Sequence, residues 1–395
     1  MDFALDKQQL ALIENARTFI KVKLTDEAAR YRDTMIPKEE AKKLLKRIEP
    51  FGFMGSLIPG EEGGSGLDFL TTILLYEELF RVFPDLGGIA MVNQAVGYGI
   101  YTDGTPEQRK RYLPGLISGD LIGAQAATED CAGSNPRAIR MQASSEGDGY
   151  RLNGRKLWIS NGSISDFCIV LVRTDDGETN RLVVDADAYT SREEHLMGQH
   201  AQSHAELNFE NSWVPNSQLM GRSGEGAKST IRDFSIMRCF VAIWSVGLAQ
   251  AALEAAVKYA REREQWYKPI GQHQLVQEMI ADMATELQCA RLLAYRAAWM
   301  LDQKGPSETE ASMAKYYCTE AAVRITSKAV QIHGALGLSR ELPIEGYFRD
   351  ARMMTIPDGT SQLQQLILAR NILGMAAFGD SRRSREASAK ASQAG

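Results

Sequence analysis

The spacing of apolar residues changes twice along this chain, and each change indicates a different kind of secondary structure. Up to about residue 120, apolar residues recur at helical spacing, as Leu70, Ile73 and Leu74 do. From about residue 122 the pattern alternates, and the runs 149–160 and 166–172 are typical of strands. Helical spacing returns from about residue 231.

These changes predict an α+β multidomain protein whose parts follow the order helical, β, helical. We expect an N-terminal α-helical domain over residues 1–121 and a middle β-domain of barrel or sandwich type over residues 122–230. A C-terminal four-helix bundle is expected over residues 231–378. The tail 379–395 has no apolar face and is predicted to be disordered.

Charge and hydropathy argue against several classes of partner. The formal net charge of the 395 residues is -5 and no long basic cluster occurs, so nucleic acid is not an expected partner. No stretch looks long and apolar enough to cross a bilayer, and a membrane is not expected either. The acidic N-terminus lacks the features of a secretory signal.

The cysteines and histidines indicate neither disulfide nor metal chemistry. Five cysteines are scattered without paired spacing, which argues against a disulfide framework and a zinc site. Five histidines form no cluster of ligands, so no metal is expected. A reducing compartment suits this composition, and we expect the cytoplasm.

The stretch 355–364 carries the sharpest local signal, a turn that opens a helix. Pro357 restricts its neighbour, Gly359 frees the backbone, and Thr360 and Ser361 are natural N-cap residues. Asp358 lies just ahead of a helix N-terminus, where a negative charge is favoured. It is therefore either a helix cap or a base, and the residues alone favour the cap.

The same stretch resembles the signature of the acyl-CoA dehydrogenases, in which a Glu-Gly-Thr turn carries the catalytic base. The matching residue here is Asp358, which is shorter than the usual Glu. By position, Thr360 and Gln362 would contact the cofactor and Gly359 the substrate. The resemblance covers nearly the whole chain and implies a homotetramer in which FAD lies between the β-domain and the C-terminal bundle.

Two segments of the predicted β-domain resemble the family's flavin-binding motifs. The segment 127–135 is similar to Thr-Glu-Pro-x-Ala-Gly-Ser-Asp, and Thr128, Gly133 and Ser134 would hold the flavin ring, with Ser134 also near substrate. The segment 158–162 resembles Trp-Ile-Thr-Asn-Gly. There the indole of Trp158 would cover the flavin edge and the hydroxyl of Ser160 would bond to its pyrimidine end. An ordinary polar turn and a core tryptophan are the alternatives.

Two later segments resemble the elements that bind the rest of FAD. The run 261–266 looks like the family's Glu-Arg-x-x-Phe, so Arg263, followed by Trp266, would pair with the pyrophosphate. A solvated arginine is the alternative. Gln331 and Gly334 belong to a segment that resembles the element contacting the adenine side from a neighbouring subunit.

The family reaction removes the α-proton of an acyl thioester while hydride leaves the β-carbon for flavin N5. The Asp358 carboxylate falls short of a Glu carboxylate by about 1.5 Å, one C–C bond. Some relatives place the base at the position of Met237, which has no basic group. Three explanations remain: the backbone or a bulky, branched or cyclic acyl group moves inward, another carboxylate serves, or dehydrogenation is lost.

Other positions bear on the substrate and the electron acceptor. Arg238 matches a supporting arginine of the active site, whereas Ser235 stands where an Asp commonly touches the pantetheine. A carrier-protein thioester is therefore an alternative to acyl-CoA. Glu210 matches a surface acid implicated in docking the electron-transferring flavoprotein.

The prediction is an FAD-dependent acyl-CoA dehydrogenase with Asp358 as base and an electron-transferring flavoprotein as partner. Three alternatives stay open: a carrier-linked acyl dehydrogenase, an enoyl-thioester reductase of a biosynthetic pathway, and a flavin-binding paralogue without dehydrogenase activity.

Overall fold

The computed structural model describes residues 5–305 and 307–377, and it shows a helical part, a β-sheet part and a second helical part in that order. This order confirms the predicted fold class. The predicted tail, residues 379–395, lies outside the described residues. The domain limits at residues 121 and 230 stay predictions.

Six α-helices build the N-terminal part, and their ends follow local capping chemistry. Asp6 begins α1 with a capping box to Gln9, and Thr105 begins α6 with another to Gln108. The left-handed Gly119 ends α6. The helices are α1 (Lys7–Lys23), α2 (Thr25–Tyr31), α3 (Lys38–Ile48), α4 (Phe69–Val82), α5 (Pro84–Asp103) and α6 (Pro106–Ser118).

An eight-stranded sheet forms the middle part. The strands are β1 (Gly123–Ala126), β2 (Gln142–Glu146), β3 (Gly149–Ser160), β4 (Phe167–Thr174), β5 (Thr179–Asp185), β6 (Thr190–Glu193), β7 (His204–Pro215) and β8 (Leu219–Met220). Their order is β6-β7-β3-β2-β4-β5-β8, and β1 pairs with β4 in parallel. Among the described strands β6 and β8 remain at the edges, so the sheet does not close into the barrel that the alternating pattern allowed.

Five α-helices and a two-stranded hairpin make up the C-terminal part. The helices are α7 (Gly226–Glu262), α8 (Gln274–Lys304), α9 (Glu308–His333), α10 (Ile344–Met354) and α11 (Ser361–Leu373), and the hairpin strands are β9 (Glu264–Gln265) and β10 (Lys268–Pro269). Helix α9 packs against α7, α8, α10 and α11 and is therefore central to this part. On α8, Met283 and Leu287 are buried, whereas Leu275 near the start of the helix is exposed.

Helix α7 corrects one expectation. By length and hydropathy it is long and apolar enough to cross a bilayer, although the sequence was expected to contain no such stretch. Of its apolar window, 89% is buried inside the protein, where the helix packs against α4, α8 and α9. A helix surrounded by other elements is apolar on most sides, and such a core helix passes the same test as a membrane span.

A buried arginine connects the three parts. The Arg181 side chain, on β5, is 1% exposed, and its Nη1 lies 2.7 Å from Oδ2 of Asp233 on α7. Its other terminal nitrogen donates to Asp103, the last residue of α5. Arg232 also pairs with Asp103, at 2.7 Å. Although burial raises the pKa of Asp103, these two arginines outweigh it and keep that pKa below the ordinary value.

Replacing Arg181 tests how much its buried ion pairs contribute to stability. Arg181→Met removes the buried guanidinium between Asp233 and Asp103, which keep only the more exposed Arg232, and we expect a loss of about 1–3 kcal/mol in the free energy of unfolding. Urea denaturation followed by circular dichroism measures it. As a control, Arg151→Met removes the ion pair with Glu146. The Arg151 side chain is 39% exposed, so the free energy of unfolding should fall by at most about 1 kcal/mol. Equal losses in the two variants would contradict the role given to Arg181.

Candidate active site

A cavity of about 940 Å³ lies where the three parts meet. Its walls come from α5, from the segment after β1, from the end of β3, from the segment before β7, from α7 and from the turn before α11. Ten of the predicted site residues line it: Thr128, Gly133, Ser134, Trp158, Ser160, Met237, Arg238, Asp358, Gly359 and Thr360. Positions separated by more than 200 residues in the sequence are thus brought to one place.

Two predicted residues near the cavity do not line it. Gln362 is exposed in the first turn of α11. Ser235 is buried in α7, and its hydroxyl donates to the carbonyl of Ile231 at 3.3 Å. The Ser235 side chain is therefore turned into its own helix rather than offered to a ligand.

The four residues predicted to contact the pyrophosphate and adenine lie together, away from the cavity. Arg263 follows the end of α7, and Trp266 is 81% exposed in the turn of the β9–β10 hairpin. Gln331 and Gly334 are exposed at the end of α9. The two helix ends are neighbours, because Tyr259 of α7 stacks on His333 of α9 with ring centroids 4.5 Å apart.

The turn that carries Asp358 has a left-handed backbone. The φ angle is +52° at Asp358 and +97° at Gly359. Asp is among the few residues that adopt this region at moderate cost, and glycine adopts it freely. The hydroxyl of Thr360 accepts the N–H of Leu363 at 3.3 Å and so caps α11. The cap is therefore Thr360, and the alternative that Asp358 caps this helix is wrong.

Three side chains hold the carbonyl groups of this turn. Lys315 Nζ donates to the carbonyl of Gly359 at 2.9 Å. Gln364 Nε2 donates to the same carbonyl at 2.8 Å and to that of Asp358 at 3.1 Å. Arg238 Nε donates to the carbonyl of Asp358 at 3.2 Å. The backbone of the turn is thus fixed by three donors, two of them on α7 and α9.

Lys315 and Gln364 were missed in the sequence, although Lys315 left a signal. It stands on the buried face of α9, in helical spacing with Ala311, Cys318 and Ala322, where a lysine needs a specific partner. Gln364 is fully buried one turn into α11, and its sequence context gave no such signal.

The carbonyl of Asp358 is hydrogen-bonded, but within the described chain the carboxylate of the same residue is not. No hydrogen bond to the carboxylate is found within residues 5–305 and 307–377. Burial raises the pKa of Asp358, while the charges of Lys315 and Arg238 act in the opposite direction. Burial also lowers the pKa of Lys315 to about 8, against the attraction of Asp358. A partly buried carboxylate of raised pKa therefore faces the cavity.

A buried ion pair supports the loop that carries Thr128 and Ser134. Lys156 Nζ, on β3, lies 2.8 Å from Glu129 Oε1 and 3.1 Å from the carbonyl of Ala127. The Glu129 carboxylate also accepts the backbone N–H groups of Arg140 and Met141. Burial raises the pKa of Glu129, but Lys156 and these N–H groups outweigh it and leave the pKa lowered. Neither residue was identified from the sequence.

An irregularity in β3 places Trp158 on the cavity wall. The register between β3 and β7 shifts between Lys156 and Ile159, and Trp158 has a φ of +60°. Its side chain is 52% exposed, so it is not the core tryptophan that was the alternative. Two residues on, Ser160 Oγ lies 3.3 Å from Nδ1 of His204, another residue that the sequence did not single out.

The cavity suits a large ligand with a flat polar ring. Its volume is near the upper end of ordinary ligand sites. The hydroxyls of Thr128 and Ser134 line it without a hydrogen-bond partner among the described residues, and the Trp158 indole offers a flat surface. This set fits the flavin of FAD. In the same part of the chain, no group of three or more His, Cys, Asp or Glu residues is placed to hold a metal ion.

Sequence profiles of one family match almost the whole chain. Those described as the N-terminal, middle and C-terminal domains of acyl-CoA dehydrogenase match residues 6–120, 124–212 and 224–373. The subunit CarC of the caffeyl-CoA reductase-Etf complex of Acetobacterium woodii is 37% identical, over 85% of this chain and 90% of that protein.

Solved structures agree in fold over nearly the full length. A glutaryl-coenzyme A dehydrogenase in complex with glutaryl-CoA is 34% identical, with a TM-score of 0.90 over 95% of this chain and 97% of that one. The prolyl acyl carrier protein oxidase AnaB is 30% identical, with a TM-score of 0.87 over 94% of this chain and all of that one. The resemblance predicted from the motifs is confirmed.

The hydrogen bonds of Gln364 lead to a prediction about the turn. Gln364→Leu removes two hydrogen bonds to partly buried carbonyls, and we expect the free energy of unfolding to fall by about 1–3 kcal/mol. Gln365→Leu, the same change at an exposed neighbouring position, should stay within about 0.5 kcal/mol of the unmodified protein. Thermal unfolding at several urea concentrations measures both. A loss for Gln365→Leu as large as for Gln364→Leu would show that the turn bonds do not stabilise the fold.

Proposed function

The chain belongs to the acyl-CoA dehydrogenase family of FAD-dependent oxidoreductases, and from this premise we propose that Asp358 removes the α-proton of an acyl thioester bound in the cavity. Bound FAD supplies the acceptor for the hydride that leaves the β-carbon. Thr128, Ser134, Trp158 and Ser160 would hold the flavin.

The observation that carries this proposal is the division of contacts at Asp358. Its carbonyl is bound by Arg238 and Gln364, whereas its carboxylate faces the cavity without a hydrogen-bond partner in the described chain. A base needs a fixed position and a free lone pair, and this arrangement supplies both. The backbone N–H of Asp358 also has no acceptor among the described residues, so it is available to a thioester oxygen that gains negative charge.

The electrostatics of the site support the same role. A raised pKa makes the Asp358 carboxylate a stronger proton acceptor than an exposed aspartate. The cationic Lys315 and Arg238 limit that rise and favour the ionised form that must be present before the proton moves. Burial and charge together bring the group toward a useful range for general base catalysis.

A second carboxylate on the cavity wall is a weaker candidate. Glu308 lines the cavity, but its Oε2 lies 2.5 Å from Nη2 of Arg370. Met237, at the position where some relatives place the base, is also on the wall and has no basic group. Of the two acids among the described lining residues, Asp358 is the one whose carboxylate is not engaged.

The substrate that suits Asp358 is one that approaches it closely. Since Asp is shorter than Glu by about 1.5 Å, the α-carbon has to lie nearer the turn. The cavity lining includes a set of apolar side chains: Met91, Val92, Phe234 and Val241. We propose a branched or alicyclic acyl group, because its bulk fills the apolar space and pushes the α-carbon toward Asp358.

A carrier-linked thioester is the second candidate, and one observation favours it. Ser235, at the position where the family commonly has a pantetheine-contacting Asp, does not line the cavity and its hydroxyl is bound within α7. The similar protein AnaB is a prolyl acyl carrier protein oxidase. The reverse direction, reduction of an enoyl thioester, is the activity named for the caffeyl-CoA reductase relative.

Partner proteins follow from the surface and from the relatives. We propose an electron-transferring flavoprotein as electron acceptor, docking near the exposed Glu210 and Trp213 of β7, because one relative is a subunit of a reductase-Etf complex. The pyrophosphate and adenine residues lie away from the cavity of their own chain, so they would complete the FAD site of another copy in a homotetramer. The exposed Leu275, Leu292 and Trp299 of α8 suit such an interface.

The compartment proposed is the cytoplasm. All five cysteines lie within the described residues and none is paired in a disulfide. Three of them, Cys168, Cys239 and Cys318, are buried. Free thiols of this kind are usual where the environment is reducing.

Asp358→Asn tests the proposed base. We expect FAD to remain bound while the rate of flavin bleaching by an acyl thioester, followed without oxygen, falls by about 10²- to 10⁴-fold. The panel of substrates contains straight, branched and alicyclic acyl-CoAs and the same acyl groups linked to a carrier protein. Asp187→Asn, the same change at an exposed position, should leave the rate unaltered. Normal bleaching in Asp358→Asn would eliminate Asp358 as the base, and bleaching only with carrier-linked thioesters would establish the second candidate.

The pH dependence of the same assay tests the electrostatics. Bleaching requires ionised Asp358, so its rate rises as the pH increases through the pKa of that carboxyl. Lys315→Met removes the cation whose charge lowers this pKa, and we expect the rising limb to move to higher pH. Lys328→Met removes a cation of the outer face of α9 that pairs with Asp282, and its profile should match that of the unmodified protein. If the rising limb of the Lys315→Met profile stays at the pH of the unmodified protein, Lys315 does not lower the pKa of Asp358.

A further inference from the structure

A buried histidine at the cavity is not accounted for by the proposed reaction. His204 is 7% exposed and lines the cavity beside Ser160, its partner across β3 and β7. Its Nδ1 lies 3.3 Å from the hydroxyl oxygen of Ser160. Its Nε2 is buried and has no hydrogen-bond partner among the described residues.

These contacts decide which ring nitrogen carries the proton. Burial lowers the pKa of His204 to about 4, so the ring is neutral at pH 7 and has one N–H group. A proton on Nε2 would leave a buried N–H without an acceptor, whereas a proton on Nδ1 leaves only a lone pair unpaired. The protein contacts therefore favour the tautomer in which the Nδ1–H is directed to the oxygen of Ser160.

The direction of this hydrogen bond determines where the Ser160 hydroxyl can donate its own proton. A hydroxyl has one proton to donate, and it cannot be directed to an Nδ1 that is itself a donor. The Ser160 proton is thus left for a ligand in the cavity, which Ser160 lines. Without His204, the hydroxyl would be free to rotate and to act as donor or acceptor.

The backbone around the histidine is held in place on both sides. The N–H of His204 donates to Glu193 Oε2 at 3.1 Å, and the hydroxyl of Ser203 donates to Glu193 Oε1 at 2.6 Å. The carbonyl of Ser203 accepts the N–H of Asn161 at 2.8 Å, next to Ser160. The imidazole and the hydroxyl consequently keep one mutual position.

We propose that His204 is a positioning residue that makes Ser160 a hydrogen-bond donor to the flavin ring and thereby sets the flavin's reduction potential. This inference rests on the proposed function only in so far as FAD occupies the cavity beside Ser160. A hydrogen bond that differs in strength between the oxidised and the reduced ring shifts the balance between the two forms.

The test measures the reduction potential and the visible spectrum of bound FAD, without oxygen and without any acyl thioester. His204→Phe keeps a ring of similar size and removes the donor. We expect the equilibrium constant of two-electron reduction to change by about tenfold, which corresponds to about 30 mV. His204→Asn keeps an N–H group near the place of Nδ1 and should stay within about twofold of the unmodified protein.

A double-mutant cycle shows whether the effect passes through Ser160. In a Ser160→Ala protein the hydroxyl is absent, so adding His204→Phe should produce no further shift. A His204→Phe shift below about twofold, or a shift of equal size in the Ser160→Ala background, would overturn the proposal. If His204→Phe does not retain FAD, His204→Gln, which moves the N–H away from Nδ1, is judged by the same criteria.

The outcome is separable from that of the proposed function. Failure of every acyl thioester to bleach the flavin would reject the dehydrogenase proposal and leave the potentials measurable. Unchanged potentials in a protein that acyl thioesters do bleach would reject the role of His204 alone.

Discussion

The cavity depends on three parts of the chain being held against one another, and the Arg181 guanidinium forms ion pairs that join all three. It brings one positive charge from the sheet between carboxylates of α5 and α7. Both helices contribute cavity walls, through Met91 and Val92 on α5 and residues near Ile231 on α7. A buried charge needs its partners in place, so the relative position of sheet and helices is fixed more tightly than apolar packing alone would fix it.

In the site, the groups that fix the backbone of the Asp358 turn are different from the group that is proposed to react. Donors from α7, α9 and α11 bind carbonyls of the Asp358 turn, and the side chain of Asp358 is left free. The left-handed conformation at Asp358 is consistent with this, because a strained backbone persists only where its surroundings impose it. The same cations that hold the turn also act on the carboxyl pKa, so structure and electrostatics of the base come from one set of contacts.

On the flavin side of the cavity, the lining residues are also fixed in position by other residues. Polar groups that line the cavity are supported by buried polar neighbours. Lys156 and Glu129 support the loop with Thr128 and Ser134, and His204 lies beside Ser160. Such buried pairs fix the orientation of the groups in front, as supporting residues do in other binding sites. This arrangement connects the fold of the sheet to the chemistry proposed for the cavity.

The sequence by itself determined the order of helical, β and helical parts, because the periods of helix and strand are local properties of the chain. It also located the turn at Asp358, the loop with Thr128 and the strand with Trp158, since turn chemistry and motifs are local too. Only the tertiary structure decided that the sheet stays open and that apolar α7 is a core helix. It also brought Lys315 to Gly359, His204 to Ser160 and Arg181 to Asp103, pairs at least 44 residues apart. Such contacts depend on how whole elements pack, and no local pattern encodes that.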